Sequence, residues 1–166
     1  MYIELHTASA FSFLDGASLP EALVQRAAEL DYPALALLDR DGVYGIPRFH
    51  LAARRAGIKA IVGAELTIAL GAREPPPGAR ASRSGGAGAR RAKAGEARVT
   101  SVEPRLFRLP VLVASRDGYR NLCRLITRMK LAAPKCEGAL TLDELDGCVG
   151  GLVALAGRAA INGPRY

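Results

Sequence analysis

Ala34-Leu-Ala-Leu-Leu38 is an uninterrupted apolar run of strand length, stopped by Asp39-Arg40-Asp41-Gly42 and followed by Ile46-Pro-Arg-Phe-His-Leu-Ala-Ala-Arg-Arg-Ala56 with Gly57 behind it. A strand without polar alternation is buried on both faces, which points to the parallel sheets of α/β layers and barrels. The segment after it suits a helix closed by glycine. Working outward, Tyr2 to His6 is a short strand, and Ser18-x-x-Glu21 with Pro20 reads as a capping box. The helix it opens carries Leu23, Val24, Ala27 and Leu30 at helical spacing. Ile58 to Leu70 is a third strand, interrupted only by Gly63 and Glu65. Leu109 to Ala114 is a fourth, Asp117 to Leu131 a helix, Leu142 to Leu145 one turn, and Gly151 to Leu155 a fifth strand. Strands alternating with helices predict a parallel sheet in an α/β layer or barrel architecture.

At 166 residues the chain has the length of one domain, or part of one. Hydrophobic residues are 49% and charged residues 23% of the whole, which argues against global disorder; with four Phe, five Tyr and no Trp, the core is aliphatic and alanine-rich. No apolar run approaches the roughly 18 residues needed to cross a bilayer, since the candidate from Ala60 is broken by Glu65. No membrane partner is expected. The opening Tyr2-Ile-Glu-Leu-His6 has no basic stretch followed by an apolar one, so no secretory signal is expected and the compartment read from sequence is the cytoplasm. Cys123, Cys136 and Cys148 are odd in number and lack Cys-x-x-Cys spacing, which suits reduced thiols better than disulfides or a zinc ribbon.

The net charge of +7 is concentrated in one place: residues 71 to 108 hold nine Lys or Arg against three Glu, leaving 14 against 13 elsewhere. The low-complexity stretch 71–105 is rich in Gly, Pro, Ala and Arg and has no apolar periodicity before Val99. It is expected to be a disordered basic insertion. Its Arg80, Arg83, Arg90, Arg91 and Lys93 are candidate contacts to a nucleic-acid backbone, which needs only flexible positive charge, although a solvated loop has the same composition. A second basic pattern lies on the helix after the fourth strand, where Arg116, Arg120, Arg124 and Arg128 recur every four residues opposite Leu122, Ile126 and Met129. Such a ridge suits DNA or an acidic surface, and equally a solvated face.

In α/β folds chemistry gathers beyond the carboxyl ends of the strands. His6 closes the first strand, Asp15 lies in the loop after it, Asp39 and Asp41 follow the second, and Glu65 sits late in the third. Imidazole and carboxylates meeting at one mouth suit Zn²⁺, Mn²⁺ or Fe²⁺ and metal-activated water for phosphoester hydrolysis. Each also has a plain structural explanation: a hydrogen-bonded histidine, two Asp-Gly turns, an ion-paired glutamate. His50 belongs on a helix away from this mouth and reads as a surface residue.

Leu5-His-Thr-Ala-Ser-Ala-Phe-Ser-Phe-Leu-Asp-Gly16 and Leu37-Leu-Asp-Arg-Asp-Gly-Val-Tyr-Gly45 resemble the N-terminal PHP (polymerase and histidinol phosphatase) domain of bacterial C-family DNA polymerases. Tyr119-Arg-Asn-Leu-Cys-Arg-Leu-Ile-Thr-Arg-Met-Lys-Leu131 with Leu140-Thr-Leu-Asp-Glu-Leu145 is most similar to the error-prone branch of that family. The resemblance covers nearly all of the chain outside 71–105. It implies a distorted (β/α) barrel of seven strands, of which about five are counted here, so that residues 1–166 form a single partial PHP domain interrupted by the insertion. It further implies up to three metals at the strand ends, supporting phosphoesterase or proofreading-type exonuclease activity in some members. His6, Asp15 and Glu65 match family ligand positions. The usual His-x-His is His6-Thr7-Ala8, and the usual Thr-Asp-His is Leu38-Asp39-Arg40, so two imidazoles are replaced by Ala8 and by the permanent cation Arg40. The family's closing Asp-x-His would fall beyond Tyr166.

A guanidinium within ~5 Å of a divalent cation meets several kcal/mol of repulsion at an effective dielectric near 20, and it cannot deprotonate to escape. Arg40 is instead expected to neutralise Asp15 and Glu65. The reading is a structural PHP portion of an error-prone polymerase with no bound metal, or Zn, Mn or Fe if the residual site works. The remainder of a polymerase, a second copy of the chain or DNA are the expected partners. A residual metal-dependent phosphoesterase or exonuclease, and a nucleic-acid-binding fragment acting through the insertion, are the alternatives.

Overall fold

The computed structural model describes residues 2–70, 105–134 and 138–156. Among these described residues six strands and three helices follow in the order β1 (Glu4–Thr7), α1 (Pro20–Glu29), β2 (Ala34–Arg40), α2 (Ile46–Ala56), β3 (Lys59–Leu70), β4 (Arg105–Val113), α3 (Arg116–Leu131), β5 (Leu140–Thr141) and β6 (Leu152–Ala154), with a 3₁₀ turn at Asp143–Leu145. They form a mixed α/β fold on one sheet of order β1-β2-β3-β4-β6. β5 pairs with β3 at Ile68 and Ala69, past the Lys59–Glu65 stretch that β2 occupies.

The expectation of a parallel sheet holds for β1, β2, β3 and β5 and fails for the rest. β4 runs antiparallel to β3 over Gly63–Leu70, and β6 antiparallel to β4. The connection from β3 to β4, residues 71–104, lies outside the described residues. Antiparallel neighbours can be joined without a crossover helix, which parallel neighbours require, so alternation of strands and helices elsewhere in the chain does not fix the direction of β4. β4 begins at Arg105, so the last residue assigned to the insertion is already a ladder residue, paired with Leu70. The count of five strands becomes six because the two-residue β5 was too short to show a pattern. Among the described residues β1 and β6 end the sheet, and the strands do not close into a barrel.

Cross-strand register assigns the two faces. Leu35 and Leu37 of β2 and Ala64, Leu66 and Ile68 of β3 share a face with Val111 of β4, and all three helices pack there. Val24 and Ala27 of α1 and Phe49 and Ala53 of α2 cover the β2 end, while Leu122, Leu125, Ile126 and Met129 of α3 cover the β3–β4 end. The helical spacing of those residues is what lets each helix bury one stripe and leave the other wet. The opposite face carries Arg40 and Glu65, directly paired between β2 and β3, and Arg108, one step along β4 opposite Thr67.

The ends of the helices follow local chemistry, with one correction. α1 has no capping box: Leu19 is the extended N-cap, without a side-chain cap, and Pro20 opens the helix. The fixed φ of Pro20 suits the first helical position, which puts Glu21 too early to reach back. Glu21 instead holds Arg48 of α2 through two hydrogen bonds of 2.6 and 3.0 Å. α2 closes as expected on Gly57, whose φ of 71° is left-handed. α3 starts at Ser115, whose hydroxyl oxygen accepts from Gly118 N at 3.1 Å. Gly118 lies so close to the Gly151 carbonyl that a Cβ there would collide with it, which seats the first turn of α3 against the turn before β6.

Candidate functional site

The carboxyl ends of β1 and β2 meet Glu65 of β3, Arg108 of β4 and the loop after β1, and five ionisable side chains gather there. His6 Nε2 lies 3.1 Å from Glu65 Oε1. Arg40 reaches Asp15 Oδ2 at 2.8 Å and the Phe13 carbonyl at 3.1 Å. Arg108 lies 3.1 Å from the same Asp15 oxygen and 3.4 Å from Glu65 Oε2. The sequence-predicted trio His6, Asp15 and Glu65 is thus brought together, but through arginine: both guanidiniums stand on the Asp15 oxygen, and one of them spans to Glu65.

Two expectations are corrected here. Arg40 pairs with Asp15 and not with Glu65, whose partners are His6 and Arg108. Asp39 and Asp41 do not join the mouth. Asp39 is an interior residue of β2, 2% exposed, with its side chain on the helix-covered face. Its carboxylate accepts from Ser9 N and Ser12 Oγ, each at 2.8 Å, and from Ser9 Oγ at 2.8 and 2.9 Å. That many donors on one buried carboxylate offset its desolvation and pin the loop that carries Asp15. Asp41, at φ 49°, accepts from Thr67 N and Thr67 Oγ1 at 2.8 Å each and so ties the end of β2 to β3. His50 is exposed on α2, as expected.

Arg108, Ser9 and Ser12 were not among the sequence candidates. The serines had a usable signal, because an aspartate ending a fully apolar strand must find donors and both lie in the loop after the first strand. Nearby, the Tyr2 hydroxyl donates to Glu4 at 2.6 Å, holding the Glu4 carboxyl below its usual range and raising the phenol.

The donor set does not fit a divalent metal. Among the described residues no three His, Cys, Asp or Glu side chains converge as a ligand group. The Glu65 oxygens face His6 and Arg108, and the nearer Asp15 oxygen faces two permanent cations, so a metal would have to displace guanidinium before it met carboxylate. Arg80, Arg83, Arg90, Arg91 and Lys93 lie outside the described residues. No helix among the described residues is long and apolar enough to cross a membrane.

The PHP domain family matches residues 4–164. An error-prone DNA polymerase of Ralstonia nicotianae is 38% identical over 156 residues, which is 94% of this chain and 12% of that protein. One from Nocardia farcinica is 40% identical over 163 residues, covering 90% of this chain and 14% of the relative. The chain therefore spans about an eighth of the length of these curated relatives. Among solved structures, an amidohydrolase from Chromobacterium violaceum superposes with a TM-score of 0.47 at 22% identity, over 76% of this chain and 32% of that one. The match over residues 4–164 places this chain in the PHP domain family.

Proposed function

We propose that residues 1–166 are a single partial PHP domain belonging to an error-prone DNA polymerase, and that its family metal site has become a structural ion-pair network. The observation that carries the second half is the pair of guanidiniums, Arg40 and Arg108, within 3.1 Å of one Asp15 oxygen. Two cations neutralising Asp15 and Glu65 do electrostatically what a bound metal would do, without Lewis acidity or an activated water. Repulsion of several kcal/mol between a guanidinium and a divalent ion ~5 Å away keeps metal out, and arginine does not titrate away. The loop after β1, β2, β3 and β4 are joined by this network, which suits a scaffold rather than a catalyst. DNA synthesis across damage would reside in the remainder of the polymerase, in the cytoplasm.

The test is elemental analysis of the purified chain after expression with added Zn, Mn and Fe, combined with hydrolysis of bis-p-nitrophenyl phosphate. The expected result is less than a tenth of an equivalent of metal after dialysis and no turnover. One equivalent retained, with metal-dependent hydrolysis, would overturn the structural reading. The polymerase assignment is tested separately by primer extension across an abasic site with the full-length protein that carries this segment.

A further inference from the structure

The outward stripe of α3 is a strongly charged surface that the proposed scaffold role leaves unused. Gly118, Leu122, Leu125, Ile126 and Met129 are its buried residues. At about 100° per residue they define one inward direction, and Arg120 projects about 180° from it, with Arg116 and Arg124 about 40° to either side. All three arginines are exposed, and the rest of that outward arc, Thr127 and Leu131, carries no carboxylate. Among the described residues neither Arg116 nor Arg124 has a hydrogen-bond or ion-pair partner. Arg120 has a 3.0 Å pair to Asp117, but that aspartate is itself 79% exposed and holds the guanidinium only weakly. Arg128, by contrast, is committed to the Glu144 carbonyl at 2.6 Å and lies outside the arc.

The helix under this stripe is fixed at both levels that matter. Its inner face packs into the β3–β4 core, and its first turn is locked by the Ser115 cap and by Gly118 against Gly151. The three guanidiniums are therefore presented in a row on a rigid support. The row is about 12 Å long at 1.5 Å per residue, an axial run over which one strand of a duplex carries three to four phosphates at ~3.4 Å each.

We infer that Arg116, Arg120 and Arg124 form a docking surface for the phosphate backbone of nucleic acid. Planar guanidinium forks match phosphate oxygens two at a time. No aromatic ring and no amide side chain lies in the arc to stack on or read a base, so contacts of this kind position a duplex without selecting sequence. This inference is independent of whether the parent protein is a polymerase and of whether the carboxylate mouth holds a metal.

The test is fluorescence anisotropy of a labelled mixed-sequence 30-base-pair DNA duplex with the 166-residue chain. The triple variant R116Q/R120Q/R124Q is compared with R54Q/R55Q/K59Q, which removes the same charge from exposed positions around the end of α2. Circular dichroism and thermal unfolding confirm that both variants fold, and single R116Q and R124Q variants replace the triple if it does not. The α3 variant is expected to weaken binding by about tenfold or more and to lower the slope of log affinity against log salt by about 2 to 3, near 0.9 per lost phosphate contact. The control variant should stay within about twofold of the parent. Equal losses in both variants, or an unchanged slope, would overturn the inference. So would displacement of the duplex by polyglutamate as effectively as by unlabelled DNA, which would mark the stripe as a surface for an acidic protein.

Discussion

The Arg108 guanidinium stands 3.1 Å from Asp15 and 3.4 Å from Glu65, so one cation from β4 joins carboxylates contributed by a loop and by β3. Its removal alone leaves Asp15 with Arg40 and Glu65 with His6. Arg108→Ala should therefore cost no more than about 1 kcal/mol in urea unfolding, as expected where the arginine of an ion pair is 44% exposed and its carboxylates keep other partners. A gain of metal affinity requires more than that. Ala8→His with Arg40→His restores the two imidazoles, but Arg108 still faces both carboxylates. The triple variant A8H/R40H/R108A should bind Zn²⁺ measurably by calorimetry, and at least tenfold more tightly than A8H/R40H. Equal affinity in the two variants would show that Arg108 does not guard the site.

Asp39 is the residue whose loss should be felt most. Asparagine in its place removes the charge and turns one of the two acceptor oxygens, which between them take Ser9 N, Ser9 Oγ and Ser12 Oγ, into a donor. Asp39→Asn is expected to destabilise by about 1 to 3 kcal/mol, since buried donors lose a charged partner. Ser12→Ala should cost about 1 kcal/mol. The same variant should also expose the loop holding Asp15 to faster amide exchange. A neutral Asp39→Asn would mean that water readily replaces the carboxylate.

These two sites also show what one sequence reveals. The helix over Ile46–Ala56 and the strands around Leu37 and Leu66 were legible, because apolar spacing depends only on near neighbours. The direction of β4 was not, since a strand's composition is the same whichever way it runs. Arg108 was hidden for a related reason: it counted as one more charge in a basic stretch until the Thr67–Arg108 register placed it diagonally beside Glu65. Asp15 and Glu65 were found through resemblance, whereas their partners had to be found through topology.

The ion pair between α1 and α2 gives the acid side of the stability profile a testable sign. Arg48 holds the Glu21 carboxyl below its usual range through a direct hydrogen bond. A carboxylate with a lowered folded-state pKa contributes stability that is present above its unfolded pKa and is lost as pH falls through the folded value. The urea midpoint difference between the parent and Glu21→Gln should thus be positive at pH 7 and shrink toward zero near pH 3. Both side chains are nearly half exposed, so 0.5 M salt should reduce the difference as well. A difference independent of pH would assign the effect to packing of the side chains and not to charge.

The ends of the sheet make the final prediction. Among the described residues β1 is hydrogen-bonded only to β2, and β6 only to β4. A strand with one free side offers unpaired backbone groups to another chain unless charge, distortion or cover protects it. β1 is partly protected: its register shifts between Glu4 and Thr7, and the His6 N–H is taken by the Glu4 carboxylate at 3.0 Å. Around these edges, however, Ile3 is 39% and Val153 48% exposed, so each edge is also apolar. The isolated chain should therefore associate, with a sedimentation coefficient that rises with concentration. Ile3→Lys with Val153→Lys places a charge at both edges and should hold the chain monomeric without lowering its unfolding midpoint by more than about 1 kcal/mol equivalent. If the parent chain sediments as a monomer at every concentration, the edges are closed to partners and the sheet is sufficient by itself.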